Sequence, residues 1–189
     1  MFRLCYINVC IAFPFSFLSC SSANLQISDC EINQETNFFV TEEINDTSGS
    51  IMFSLDDKFI FYSKLDENHR PRKIFRHEIG KAVKDDILIF EEKTKAFTVG
   101  IGLTSDEKYY LITSSDHNTT EKYYFHVDEK IPAPKLIKER EKGIIYSINS
   151  WNNNFYMHTN KDAEDFKILV SKSIDSNNWE DFISAKDET

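Results

Sequence analysis

The stretch VGIGLTSDEKYYLITSS, Val99 to Ser115, reads as strand, polar turn, strand. A short apolar run is followed by Thr104–Lys108, and then by a second run rich in aromatic and β-branched residues, the composition favoured in β-strands. The same unit is written twice more. SIMFSLDDKFIFYS runs from Ser50 to Ser63, and YSINSWNNNFYMHTN from Tyr146 to Asn160. Lys58, Lys108 and Asn154 stand just after the three turns, and successive anchors are 50 and 46 residues apart. A period of ~40–50 residues with about four strands per repeat points to β-propeller blades.

Working outward, each unit resolves into four short strands. The first is expected at 50–54, 58–64, 72–79 and 87–92. The second is expected at 97–103, 108–114, 121–127 and 135–138, and the third at 144–150, 155–159, 166–171 and 179–183. The fold class is therefore all-β: about three four-stranded antiparallel blades of an incomplete β-propeller, roughly 48–93, 97–140 and 144–184. Upstream, 25–28 and 38–41 are expected to be strands, and the polar NDTSGS of Asn45–Ser50 a loop. The polar insert Asp66–Arg72 and the charge cluster EREK, Glu139–Lys142 ending at Gly143, read as solvated links. No segment carries sustained helical periodicity.

Composition narrows the function classes. The chain has 189 residues, enough for one domain burying ~70% of its unfolded surface. Its net charge of −9 argues against nucleic acid as a partner, because such binders carry a basic face. All four cysteines, Cys5, Cys10, Cys20 and Cys30, precede the repeats. A disulfide-stapled domain would spread them through its fold, and no C-x-x-C suggests zinc or redox chemistry. The head, Met1 to Ala23, is apolar with small residues at its end, which resembles a secretory signal. Pro14, Asn8 and a lone Arg3 argue the other way, and the stretch is short for a membrane span of ~20 residues. Cytoplasmic residence is the expectation, with an exported β-rich binding module as the alternative if that head is a signal sequence.

Catalytic patterns are missing where they would be expected. No H-E-x-x-H exists, so His69, His77, His117, His126 and His158 have no metal motif to join. His77 and His126 fall at corresponding places in two units, which repetition explains. No G-x-S-x-G elbow is present; Thr47–Ser50 has Ser and Gly at the wrong spacing. Gly100-Ile101-Gly102 lies within a strand pattern and is no dinucleotide fingerprint. Asp56-Asp57 and Asp85-Asp86 sit at predicted turns, where aspartate bonds to nearby amides. The sequons at Asn45 and Asn118 carry no weight without a secretory route. The expectation is that the chain holds no catalytic residue, no cofactor and no metal.

The run FYSKLDENHRPRKIFRHEIG, Phe61 to Gly80, followed by DDILIFEEKTKAFTVGIG from Asp85, resembles the propeller of the oligopeptidase B (protease II) branch of the prolyl oligopeptidase family of serine peptidases. The matching elements are Asp66–Pro71, Arg76-His77, Phe90–Lys93 and Val99-Gly100. They continue through Thr119–Glu121, Arg140–Gly143 with Tyr146, Phe155-Tyr156, Thr159-Asn160, Ala163, Asp165-Phe166 and Trp179-Glu180. The similarity runs in register from Leu25 onward and leaves Met1–Ala23 unmatched. In that family a seven-bladed propeller caps an α/β-hydrolase domain with a Ser-Asp-His triad and restricts access to short peptides; this branch cleaves after Arg or Lys. The resemblance implies about three blades of that propeller and no counterpart of the triad. The chain is expected to be a truncated fragment, inactive alone, whose partner would be a separate chain with the remaining blades and the hydrolase domain.

Overall fold

In a computed structural model, residues 23–29 and 40–184 are described. Residues 1–22 of the apolar head and all four cysteines lie outside them, as does the expected strand start at Phe38. Among the described residues the architecture is all-β with one 3₁₀ turn at Val83–Asp85, and no helix is long and apolar enough to cross a membrane. Thirteen strands fall into three sheets. The first contains β1 (Ala23–Asp29), β2 (Val40–Phe53), β3 (Phe59–Leu65), β4 (Pro71–Glu78) and β5 (Ile87–Glu91), in that order. The second holds β6 (Thr98–Leu103), β7 (Tyr109–Ser115), β8 (Thr120–His126) and β9 (Lys135–Lys138). The third holds β10 (Tyr146–Trp151), β11 (Asn154–Thr159), β12 (Lys167–Ser171) and β13 (Glu180–Ile183). The three expected four-stranded blades are these sheets, the first enlarged by β1. The chain divides into two compact units at Leu88/Ile89.

The repeat is visible in the wiring of its turns. In the first, the Ser54 N–H donates to Phe59 O at 2.8 Å and the Asp57 N–H to Ser54 O at 3.0 Å. The Ser54 hydroxyl then donates to Asp56 Oδ1 at 2.7 Å and accepts from the Phe59 N–H at 2.9 Å. Thr104, Asp106, Glu107 and Tyr109 repeat every one of these bonds, at 3.0, 2.9, 2.9 and 3.1 Å. Asp57 and Glu107 both adopt left-handed backbone, φ 57° and 56°. The third turn is shorter. Trp151 pairs directly with Asn154, leaving Asn152 and Asn153 as a two-residue loop with φ 50° and 58°. Two positive φ values define the type I′ turn, whose twist matches its flanking strands and which asparagine tolerates.

Repetition extends to the next turn of the first two blades. Asp66 Oδ1 accepts the N–H groups of Asn68 and Arg70 at 2.8 and 3.0 Å. Asp116, fifty residues on, accepts those of Asn118 and Thr119 at 2.9 and 2.8 Å. The insert Asp66–Arg72 is thus a tight side-chain-capped turn that enters β4 at Pro71, with Glu67–Arg70 exposed as a solvated link should be.

The expected loop at Asn45–Ser50 is instead part of β2, one strand from Val40 to Phe53. Its first half pairs with β1 and its second with β3, and the register slips between Thr47 and Ile51. Changing partners keeps the backbone of this polar run hydrogen-bonded, and the slip absorbs the bend that its composition signals. In the first unit, Ile44, Ile60 and Tyr62 are buried with Ile51, Phe53, Phe75, Ile79 and Val83 packed round them.

In the second unit the two sheets share one apolar seam. Strand β10 alternates cleanly, with Tyr146, Ile148 and Ser150 buried and Ser147, Asn149 and Trp151 exposed. Tyr146 and Ile148, with Phe155 and Met157 of β11 and Ile174, meet Leu111, Tyr124 and Ile137 of the preceding sheet. Tyr109 adds an edge contact to Phe155, centroids 5.5 Å apart. Polar bonds rim the seam: Asn149 accepts from the Ser105 N–H at 2.7 Å, and Ser150 donates to Asp106.

Met157, 2% exposed, is central to this seam. Met157→Ala is expected to lower unfolding stability by about 2–5 kcal/mol, read from denaturant midpoints. At the type I′ turn, Asn153→Gly should be nearly silent. Asn153→Val should cost about 1–2 kcal/mol in the same assay, because a β-branched residue is strained at positive φ.

Candidate functional site

The most concentrated polar chemistry in the described residues gathers round Arg140, in the segment joining β9 to β10. Its Nη2 donates to Glu92 Oε2 at 2.8 Å and to Glu121 Oε2, while Nε reaches Glu121 Oε2 at 3.1 Å. The guanidinium lies over the Phe97 ring, 4.1 Å from its centroid, a cation–π arrangement. Glu92 is 4% exposed and its lone pairs are fully used. Oε2 also accepts from the buried Ser114 hydroxyl at 2.5 Å, and Oε1 from the Thr94 N–H at 2.6 Å. Glu121 accepts in addition from the Tyr123 hydroxyl at 2.9 Å and the Arg140 N–H at 3.2 Å.

In the charge cluster Glu139–Lys142, Glu139, Glu141 and Lys142 are exposed as a solvated link should be, and Arg140 alone turns inward. Two buried carboxylates need a counter-charge, and Arg140 is the residue placed to supply it in a planar, forked form. Its neighbours behave differently: Glu141 pairs with Lys161 at the surface, and Gly143 takes φ 83° to turn the chain into β10. Sequence reasoning singled out Phe90–Lys93, Thr119–Glu121 and Arg140–Gly143 as separate elements of a resemblance. The structure brings Glu92, Glu121 and Arg140 from those three segments into one cluster. Nothing local in any of them announces the convergence.

Electrostatics defines what the cluster can do. Burial alone would raise the Glu92 carboxyl, but the bonds from Ser114, Arg140 and Thr94 outweigh it and bring its pKa down to about 2. Ser114 beside Glu92 has the residue types of a nucleophile and its base. A carboxylate so acidic is a poor base near neutral pH, and the hydroxyl is 0% exposed. The bonds from Glu121 and Glu92 raise Arg140, with burial opposing. Burial, helped by the hydrogen bond to Glu121, pushes the Tyr123 phenol up to about 12. The cluster is a clasp and not a reactive centre.

The other residues weighed from sequence are scattered. His77, fully buried, shares a 2.6 Å hydrogen bond between its Nδ1 and Asp86 Oδ1, and Tyr62 donates to Asp86 Oδ2 at 2.8 Å. Asp86 thus differs from its expected turn role, holding two side chains rather than nearby amides; Asp56 does keep that role, accepting the Lys58 N–H at 3.3 Å. His126 sits half-exposed 3.4 Å from Asp128. His158 stacks on Phe166, and His69 occupies a left-handed turn position. Among the described residues no three His, Cys, Asp or Glu side chains converge as a metal site. Gly100 and Gly102 lie in β6, paired with Thr113 and Leu111. Ser48 of the Thr47–Ser50 run shares a 2.9 Å hydroxyl bond with Ser63.

Comparison with known proteins follows from this geometry. Residues 9–189 match the prolyl oligopeptidase, N-terminal beta-propeller domain family, so the match begins inside the apolar head. Protease 2 of Moraxella lacunata is 34% identical over 121 residues, 64% of this chain and 18% of that protein. A prolyl endopeptidase-like protein of Gallus gallus is 23% identical over 174 residues, 90% of this chain and 23% of that protein. Among solved structures, oligopeptidase B from Leishmania major superposes with a TM-score of 0.79 at 20% identity, over 88% of this chain and 23% of that one. The chain spans roughly a fifth of the length of these relatives.

The clasp predicts its own failure modes. Arg140→Leu strands two buried carboxylates and should cost about 3–5 kcal/mol, with Arg140→Lys intermediate because an ammonium cannot fork. Glu92 is more acidic folded than its ordinary 4.5, so its stabilisation is complete above about pH 4.5 and is lost as pH falls toward about 2. Unfolding midpoints followed from pH 6 to pH 2.5 should fall less steeply in Glu92→Gln than in the parent chain.

Proposed function

The chain belongs to the prolyl oligopeptidase family, matching its N-terminal β-propeller domain, and from that premise we propose that it serves as blades of an oligopeptidase B-like serine endopeptidase whose hydrolytic chemistry lies outside these residues. In this reading the whole enzyme cleaves short peptides after Arg or Lys. The blades contribute the wall that limits which peptides reach the catalytic domain. A hydrolase domain, joined in the same polypeptide or carried on a separate chain with further blades, supplies nucleophile, base and oxyanion hole. The 189 residues on their own are inert.

The observation that carries this reading is the match of residues 9–189 to the family's N-terminal propeller domain. Two pairs in the described blades that join a serine or a histidine to a carboxylate are both buried. Ser114 is buried against a strongly acidic, Arg-bound carboxylate, and His77 is buried against Asp86. Nucleophilic catalysis needs an accessible hydroxyl with a base able to take its proton. The 34% identity to Protease 2 over 121 residues supports the choice of branch within the family. An exported binding module, the rival expectation, gains no support from either observation.

Purified chain incubated with fluorogenic peptides bearing Arg or Lys before the scissile bond should show no turnover. Mixed with a separately purified hydrolase domain carrying the remaining blades, it should give cleavage that strongly prefers those residues over neutral ones. Turnover by the chain alone that resists repurification and is abolished by a serine-directed phosphonate would overturn the proposal.

A further inference from the structure

One cross-strand row of the second sheet gathers hydrogen-bond donors without acceptors. Gly100 of β6 pairs with Thr113 of β7, Thr113 with Lys122 of β8, and Lys122 with Lys138 of β9. Directly paired residues share one face of a sheet, so these four stand side by side. Lys122 is 8% exposed, and its ammonium donates to the Thr113 hydroxyl at 2.5 Å. Its backbone N–H is taken by the Tyr146 hydroxyl at 2.9 Å. Among the described residues the ammonium meets no other acceptor and no ion-pair partner, and the Thr113 hydroxyl proton has no acceptor. Two N–H groups and one O–H therefore converge with nothing to receive them.

No carboxylate answers these donors. Glu121, next in the chain, lies on the opposite face, where it accepts from Arg140 and Tyr123. The titratable neighbours on the Lys122 side are Lys138, Tyr124 and Tyr146, and burial raises both phenols above their ordinary range. Asp175 is engaged with the Tyr124 and Ser173 hydroxyls. The Lys138 ammonium is influenced by Lys161 and Glu141, not by Lys122. Burial alone brings the Lys122 ammonium down from its ordinary 10.5 to about 8. Space accompanies the donors. A methyl group built at Gly100 would meet nothing within 4 Å beyond its chain neighbours, and the same holds at Gly102, two residues along the same face.

We propose that the Lys122 ammonium and the Thr113 hydroxyl, beside the open floor at Gly100, bind a small inorganic monoanion of the halide type, such as chloride. Donors without an acceptor select an anion, and one ammonium selects a single charge. Burial favours an ion small enough to be enclosed between the strands. The site uses residues of the second unit alone and stands whether or not the chain serves a peptidase.

The test exchanges gluconate for chloride around the full 189-residue chain at constant ionic strength, followed by NMR. Chloride should move the amides of Gly100, Thr113 and Lys122 saturably. It should also raise the pH midpoint of the Lys122 side-chain signal, because a bound anion favours the charged form. Sulfate, with two charges, should bind more weakly. Thr113→Val keeps the shape, removes the hydroxyl and should weaken chloride at least about tenfold; Lys122→Met should abolish binding. Shifts that do not saturate or lie elsewhere, a Lys122 midpoint equal in the two salts, a preference for sulfate, or unchanged affinity in Thr113→Val would each overturn the proposal. Should Lys122→Met fail to fold, the Lys122 midpoint of the parent chain in the two salts decides.

Discussion

The second unit depends on a shared apolar seam. A four-stranded blade has two faces and too little thickness to bury either by itself, so each must find cover on another layer. Leu111, Tyr124 and Ile137 find it on Tyr146, Ile148, Phe155 and Met157. The rest of the unit follows from that packing. The alternation of β10 and β11 is legible because one face of each is spoken for. The tyrosine hydroxyls that enter the seam are each satisfied at its borders, Tyr146 by Lys122 and Lys138, Tyr124 by Asp175.

The clasp at Arg140 solves a different problem. The segments that leave β5 and β9 occupy equivalent places in the repeat, and neither has an apolar face of its own to hold it. Glu92 in the first and Arg140 in the second are joined to each other and, through Glu121, to the start of β8. A buried ion pair adds little net stability beside an apolar substitute, but it is demanding in geometry, because either partner left alone is costly. Such a bond sets register between segments that hydrophobic contact would leave free to slide. The same closure that makes it a good fastener buries the Ser114 hydroxyl against Glu92.

Much of the fold was legible because β-strands betray themselves locally. Eleven of the twelve expected blade strands lie on observed ones with ends displaced by at most two residues, and the turn wiring of Ser54–Phe59 recurs at Thr104–Tyr109. Where the reading departed from the structure, the cause is tertiary. Asn45–Ser50 has loop composition, yet it runs as a strand because β1 and β3 offer its backbone successive partners. Asp86 and Arg140 have the look of exposed turn residues and are instead drawn inward by His77 and Tyr62, and by Glu92 and Glu121.

By itself the sequence determined the strands, their turns, the period of about fifty residues and the kinship of the repeats, because all of these are encoded within a few neighbouring residues. Tertiary structure alone decided which polar side chains are buried and with whom. Partners such as Glu92 and Arg140 lie 48 residues apart, and only the stacking of sheets brings them within bonding distance.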